Sequence, residues 1–151
     1  MLGITPQSFI LDKRVLALRY NMPVGKISNF FEKLRGGKVS ATRCNACNEL
    51  YFPPQVHCPK CNSEDVSWVD LSGEATLETF TKIVVKPTSF SDNEDYVVAI
   101  GRMIEGINVL ATLDIMDERD VEIGMKLRLI PVERNGNLSY LFIPKPDNKG
   151  K

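Results

Sequence analysis

The sequence predicts a mainly β protein in which N-terminal helices precede a small metal-held ribbon and a five-stranded barrel of the OB type. Three observations predict it. Four cysteines fall within residues 44–61 as two C-x-x-C pairs. From residue 74 onward the chain reads as short apolar-polar runs broken by turn residues. The charge is also divided: residues 1–63 carry nine basic and three acidic side chains, residues 64–151 ten and sixteen, although the 151-residue chain is neutral overall. With 43% hydrophobic and 25% charged residues, most of the chain cannot be disordered.

Thr5-Pro6 is a helix start, a capping residue followed by a first-turn proline, and Ile10, Leu11, Val15 and Leu18 share one face up to the break at Asn21–Pro23. A second helix has Asn29 as its cap, Glu32 three residues on, Phe30, Phe31 and Leu34 as its apolar face, and Gly36-Gly37 as its stop. Strands are expected at 74–85, 96–104, 107–113, 126–132 and 138–143, with Glu105-Gly106 and Asn135-Gly136 as tight hairpin turns. The first run is long enough to bend between two sheets, and the acidic connection 114–124 separates the third from the fourth, as a five-stranded Greek-key barrel requires. A generic small barrel or sandwich is the competing architecture. The expected organisation is a helical segment over 1–37, the ribbon over 38–68, the barrel over 69–145 and a polar tail over 146–151.

Cys44-Asn45-Ala46-Cys47 and Cys58-Pro59-Lys60-Cys61 are separated by ten residues. Two tight turns at that spacing present four thiolates tetrahedrally, which is how structural zinc is held, and four protein ligands leave no position for water or substrate. A segment this short cannot build its own core, so the metal should supply its folding energy. Two disulfides would use the same cysteines, but the opening stretch is interrupted by Asp12, Lys13, Arg14 and Arg19 and has no signal-peptide core. A redox-active pair would need alternating strands and helices, which are missing. An iron site of rubredoxin type has the same geometry and stays open. His57, the only histidine, precedes Cys58 where a knuckle residue points outward, and it is given no ligand role. Nowhere do eighteen apolar residues run together, so no membrane span is expected, and the reduced cysteines point to the cytoplasm.

One histidine beside a metal cysteine removes most acid-base and nucleophilic mechanisms. No G-x-S-x-G elbow, P-loop or G-x-G-x-x-G occurs. The carboxylates Asp92, Glu94, Asp95 and those of 114–122 lie in apparent loops and read as solvated surface. No catalytic residue is assigned.

In order, FFEKLRGGK, RCNACNELYFPPQVHCPKCNSEDVSWVDLSGEATLETFT, DYVVAIGRMIEGINVLATL and VEIGMKLRLIP resemble domain-of-unknown-function family 35 over residues 28–145. Tyr51-Phe52-Pro53-Pro54 after the first cysteine pair, Trp68, Leu71-Ser72-Gly73 and Ile123-Gly124-Met125 fall in the expected sequence. The resemblance implies a rubredoxin-like zinc ribbon packed on an OB barrel, in proteins associated with acyl-CoA and lipid metabolism. Members are found beside thiolases. One archaeal member is a scaffold that holds a thiolase and a hydroxymethylglutaryl-CoA synthase, an arrangement of the isoprenoid precursor pathway, and others belong to acyl-CoA hydratase or thiolase-like complexes. The resemblance therefore implies a non-catalytic subunit with zinc on Cys44, Cys47, Cys58 and Cys61, an acyl-CoA ligand, and a thiolase and a hydroxymethylglutaryl-CoA synthase as partners.

Coenzyme A needs cations for its phosphates near an apolar slot for its pantetheine arm. Lys33, Arg35, Lys38 and Arg43, close to Phe30, Phe31, Tyr51 and Phe52, are the candidates, with Lys82, Lys86 and Arg102 as weaker ones. The alternative function is single-stranded nucleic-acid binding, which OB folds and zinc ribbons perform through basic grooves and stacking aromatics. The acidic barrel half, at a net −6, opposes a polyanion.

Overall fold

The structure, a computed structural model, describes residues 23–86, 94–115, 117–134 and 136–145. The helix expected after Thr5-Pro6 and the polar tail lie outside them. A 3-10 turn, Gly25–Ile27, runs directly into helix α1, Ser28–Arg35. Phe30 and Leu34, one helical turn apart, are buried. Asn29 is not the cap. Ile27 holds that position without a side-chain bond, because the preceding turn already engages the Ser28 N–H with the Gly25 carbonyl. The stop is as expected: Gly37 has φ +81°, and Lys38 and Gly37 donate to Lys33 and Leu34 at 2.9 and 3.0 Å, which satisfies carbonyls that would otherwise be orphaned.

Strands β1 (Ser40–Cys44), β2 (Leu50–Tyr51) and β3 (Val66–Asp70) form an antiparallel sheet in the order β2-β1-β3. The remaining strands, β4 (Glu74–Ile83), β5 (Tyr96–Met103), β6 (Asn108–Leu113), β7 (Lys126–Arg134) and β8 (Asn137–Pro144), close into a barrel in the order β4-β5-β6-β8-β7. Closure needs one long strand shared by both halves. β4 pairs with β7 through residues 74–76 and with β5 through residues 75–83, with a register shift between Leu77 and Thr79. The parallel β6–β8 contact, Thr112 to Leu141 and Leu113 to Phe142, seals the other side. Strict alternation along β6 puts Val109, Ala111 and Leu113 inside.

Arg134 pairs with Asn137 across the second expected turn, whose Asn135 lies outside the described residues. The Glu105-Gly106 turn is a three-residue loop: Gly106 N–H reaches the Met103 carbonyl and Met103 N–H the Ile107 carbonyl, with Gly106 at φ +89°. Glycine supplies the left-handed residue that such a bulged hairpin needs.

Ribbon, helix and barrel share one core. Phe30, Leu34, Val39 and Ala41 belong to the same buried cluster as Leu77, Val109, Leu127 and Phe142. A ring cluster spans the three parts: Phe30 of α1 lies edge-on to Phe52 of the ribbon at 6.3 Å and to Tyr140 of β8 at 6.2 Å, and Phe52 meets Tyr140 at 5.2 Å. The connection is made by Leu71, whose N–H donates to Val39, and by Gly73, whose carbonyl accepts from Leu129 at 2.7 Å. No helix among the described residues is long and apolar enough to cross a membrane.

Candidate metal centre and the surfaces around it

Each C-x-x-C pair sits at the tip of a tight turn. Asn48 N–H returns to the Cys44 carbonyl and Asn62 N–H to the Cys58 carbonyl, both at 2.9 Å. The residue after each second cysteine is an asparagine with positive φ, +62° at Asn48 and +58° at Asn62. Asparagine tolerates that region because its short polar side chain carries little steric penalty there. The repeated C-x-x-C-N was legible in the sequence and marks two equivalent knuckles. Arg43 locks the first, donating to the Asn48 carbonyl and side chain at 3.2 Å. Thr42 Oγ1, fully buried, accepts the Gln55 N–H at 2.8 Å and pins the intervening loop to β1.

The four sulfurs lie within 4.8 Å of one another, with Cys44 to Cys61 and Cys47 to Cys58 at 3.5 Å. Cys44 and Cys58 are buried, Cys47 is partly buried and Cys61 exposed. Their electrostatics is that of a cation site. Burial opposes ionisation of Cys58, but bonds from the Tyr51 hydroxyl and the Cys61 and Lys60 N–H groups more than offset it and bring its thiol to about 6. The Ser63 N–H favours the Cys61 thiolate, yet the neighbouring Cys44 and Cys58 sulfurs and burial push that thiol up to about 12. Four sulfurs this close cannot all ionise against one another; a cation at their centre lets them. The donor set therefore fits a tetrahedral thiophilic metal.

Sequence reasoning did not assign Tyr51 a part at this centre. Its hydroxyl lies 3.2 Å from Cys58 Sγ and is held protonated by that contact. Groups that bond to a metal's ligands change metal affinity by about 10- to 100-fold. Tyr51→Phe is expected to release metal to a chelating indicator about tenfold faster while the circular dichroism stays that of the parent. An unchanged release rate in a folded variant would reject the role.

The cations expected at an acyl-CoA site are mostly engaged. Lys33 and Lys38 both reach Asp70, at 2.5 and 2.9 Å, tying α1 to the end of β3. Arg43 serves the knuckle, and Arg35 is exposed without a partner among the described residues. Lys82 pairs with Glu118, Lys86 with Asp95, and Arg102 bonds Asn108. Phe30 packs on Phe31, Phe52 and Tyr140, and Phe52 on Tyr140.

Bonds from Lys33 and then Lys38 hold the Asp70 carboxyl below the usual carboxylate range. A carboxylate lowered in the folded state adds stability that is complete above its unfolded value of about 3.9 and is lost as pH falls through its own lower value. Asp70→Asn should therefore lower stability at pH 7, by no more than about 1 kcal/mol for so accessible a pair. Urea unfolding at matched metal content should show that difference vanishing in acid; a difference independent of pH would exclude the ion pairs as its source.

The same chain matches two adjacent domain families, the rubredoxin-like zinc ribbon domain of ChsH2 over residues 31–67 and the C-terminal OB-fold domain of ChsH2 over residues 68–130. It is 32% identical over 89 residues to a "DUF35 domain-containing scaffold protein" of Methanocaldococcus jannaschii, an alignment covering 58% of this chain and 63% of that protein. It is 29% identical over 130 residues to the "Probable enoyl-CoA hydratase alpha subunit" of Thermomonospora curvata, covering 85% of this chain and 40% of the relative. The chain thus spans less than two thirds of the length of either relative. Among solved structures, a chain of "Ltp2-ChsH2(DUF35) aldolase" superposes with a TM-score of 0.69 at 26% identity, covering 83% of this chain and 98% of that one.

Proposed function

The chain belongs to domain-of-unknown-function family 35, and from that premise we propose that it is a non-catalytic accessory subunit of acyl-CoA metabolism. In this reading it joins thiolase-family and hydroxymethylglutaryl-CoA-synthase-type enzymes, helps bind or channel the acyl-CoA passing between them, and works in the cytoplasm. The observation that carries the reading is the extent of the likeness to the aldolase chain, 98% of whose length is spanned. What this chain shares with that chain is ribbon and barrel together, which fits a module that works through its surface. The relatives named as a scaffold protein and as a hydratase subunit support the same class.

The metal proposed is zinc, held by Cys44, Cys47, Cys58 and Cys61. With four protein ligands it supplies folding energy and no chemistry. The test is a tagged pull-down from the native host at modest salt, with co-eluting proteins identified by mass spectrometry and nucleic acid measured on the same sample. A thiolase or synthase in stoichiometric amount is expected. Nucleic acid without such an enzyme would replace this reading by single-stranded nucleic-acid binding, and elution of the chain alone would defeat it.

A further inference from the structure

We infer that the corner of the barrel where the start of β4 meets β7 and the end of β8 is a binding site for the phosphate-bearing end of a coenzyme-A-type ligand, a nucleoside carrying phosphomonoester or diphosphate groups. The inference rests on the acyl-CoA reading and names the contact that reading lacks, since three of the four N-terminal cations already hold protein partners.

An open cavity of 240 Å³ lies there, lined by Ser72, Glu74, Arg128, Ile143, Pro144 and Lys145. Lys145 Nζ lies 2.7 Å from Glu74 Oε1, and Arg128 stands opposite Glu74 in the β4–β7 register. Lys126 is adjacent: its carbonyl accepts the Lys145 N–H at 2.8 Å and its Nζ reaches Thr76 Oγ1 at 2.9 Å. Three cations thus surround one carboxylate, in the half of the chain whose net charge is −6. Glu105 accepts the Ser72 N–H at 2.6 Å. Arg128 stands opposite Glu74 and has no hydrogen-bond acceptor among the described residues; a planar guanidinium there suits a phosphate taken in bidentate fashion. Ser72 Oγ accepts the Glu74 N–H at 3.1 Å, which leaves its hydroxyl proton for a ligand oxygen. Ile143 and Pro144 are partly buried and offer an apolar wall against which an adenine or ribose can rest. A cationic fork, an ammonium group, a hydroxyl and an apolar wall in one cavity are the elements that a nucleoside phosphate requires.

The test is calorimetric titration of the zinc-loaded full chain with adenosine 3′,5′-bisphosphate, with adenosine and inorganic phosphate as separate probes. Binding of the bisphosphate, competition by phosphate and much weaker binding of adenosine are expected. Arg128→Ala should weaken binding at least about tenfold, the loss of one charge-assisted contact. Glu74→Gln should tighten it, a gain that general loss of structure cannot imitate. Arg35→Ala should leave it unchanged. No binding by the parent, an unaltered affinity in Arg128→Ala, or a loss confined to Arg35→Ala would each overturn the site. Running the Arg128→Ala chain through the pull-down separates the two readings: enzymes that still co-elute with a chain unable to bind nucleotide leave the accessory role standing whichever way the titration falls.

Discussion

Cys44→Ser is expected to release the metal and unfold the ribbon while the barrel keeps its strands. Cys44 is 0% exposed and ends the central strand of the three-stranded sheet, and its sulfur lies 3.5 Å from that of Cys61, so it joins the first knuckle to the second. Small zinc modules draw about 10–16 kcal/mol of folding free energy from the ion, more than a ribbon sheet of this size can gain from apolar burial. The shared core and the Phe30–Phe52–Tyr140 rings should transmit part of that loss to the barrel as a lower melting temperature. The measurements are metal content, far-UV circular dichroism and the charge-transfer bands of a cobalt-substituted sample. Cys61→Ser, at the exposed corner, should be milder, because water can take the fourth position there. Metal content and far-UV spectrum both equal to the parent's in Cys44→Ser would refute the account.

Gly101→Ala is expected to have the next largest effect, although it adds one methyl group to a strand. A Cβ at Gly101 would lie 2.5 Å from Cζ of Phe142 and 3.0 and 3.1 Å from Cε1 and Cε2. Phe142 is 0% exposed and sits on β8 between its partners Leu113 and Leu129. Its ring can give way only by displacing close-packed neighbours. Overpacking of this kind costs about 3 kcal/mol, which in a chain of this length is a melting temperature lower by about 6–12 °C. Phe142→Leu in the Gly101→Ala background should be less harmful than the sum of the two single changes, since the smaller side chain vacates the space. Strict additivity, or an unchanged melting temperature in Gly101→Ala, would show that the ring is not what reserves position 101 for glycine.

The clustering of the four cysteines was legible because it is written locally: their spacing fixes what two tight turns can present, and that requires no knowledge of the rest of the chain. The barrel strands were legible for a similar reason, since alternation and turn residues are short-range signals. The errors also fall where local signals mislead. Asn29 carries the letters of a cap, yet the 3-10 turn before it removes the need for one. The Glu105-Gly106 turn does fall where its letters place it, and only the Met103–Ile107 pairing sets its loop at three residues.

Charged side chains show the limit most clearly. The sequence places Lys33, Lys38 and Arg43 near one another, but whether a lysine is free for a ligand depends on carboxylates far away in the chain. Asp70 is 37 residues from Lys33 and 32 from Lys38, and folding brings it onto both. The same holds for Arg128, Lys126 and Lys145, which gather around Glu74 because strand pairing places them there. By itself, then, the sequence determined a four-cysteine ribbon joined to a five-stranded barrel, since knuckle spacing and strand periodicity are properties of neighbours. Only the tertiary structure decided which cations are spent within the protein and which face a cavity, because ion pairing depends on distances that the barrel's closure alone sets.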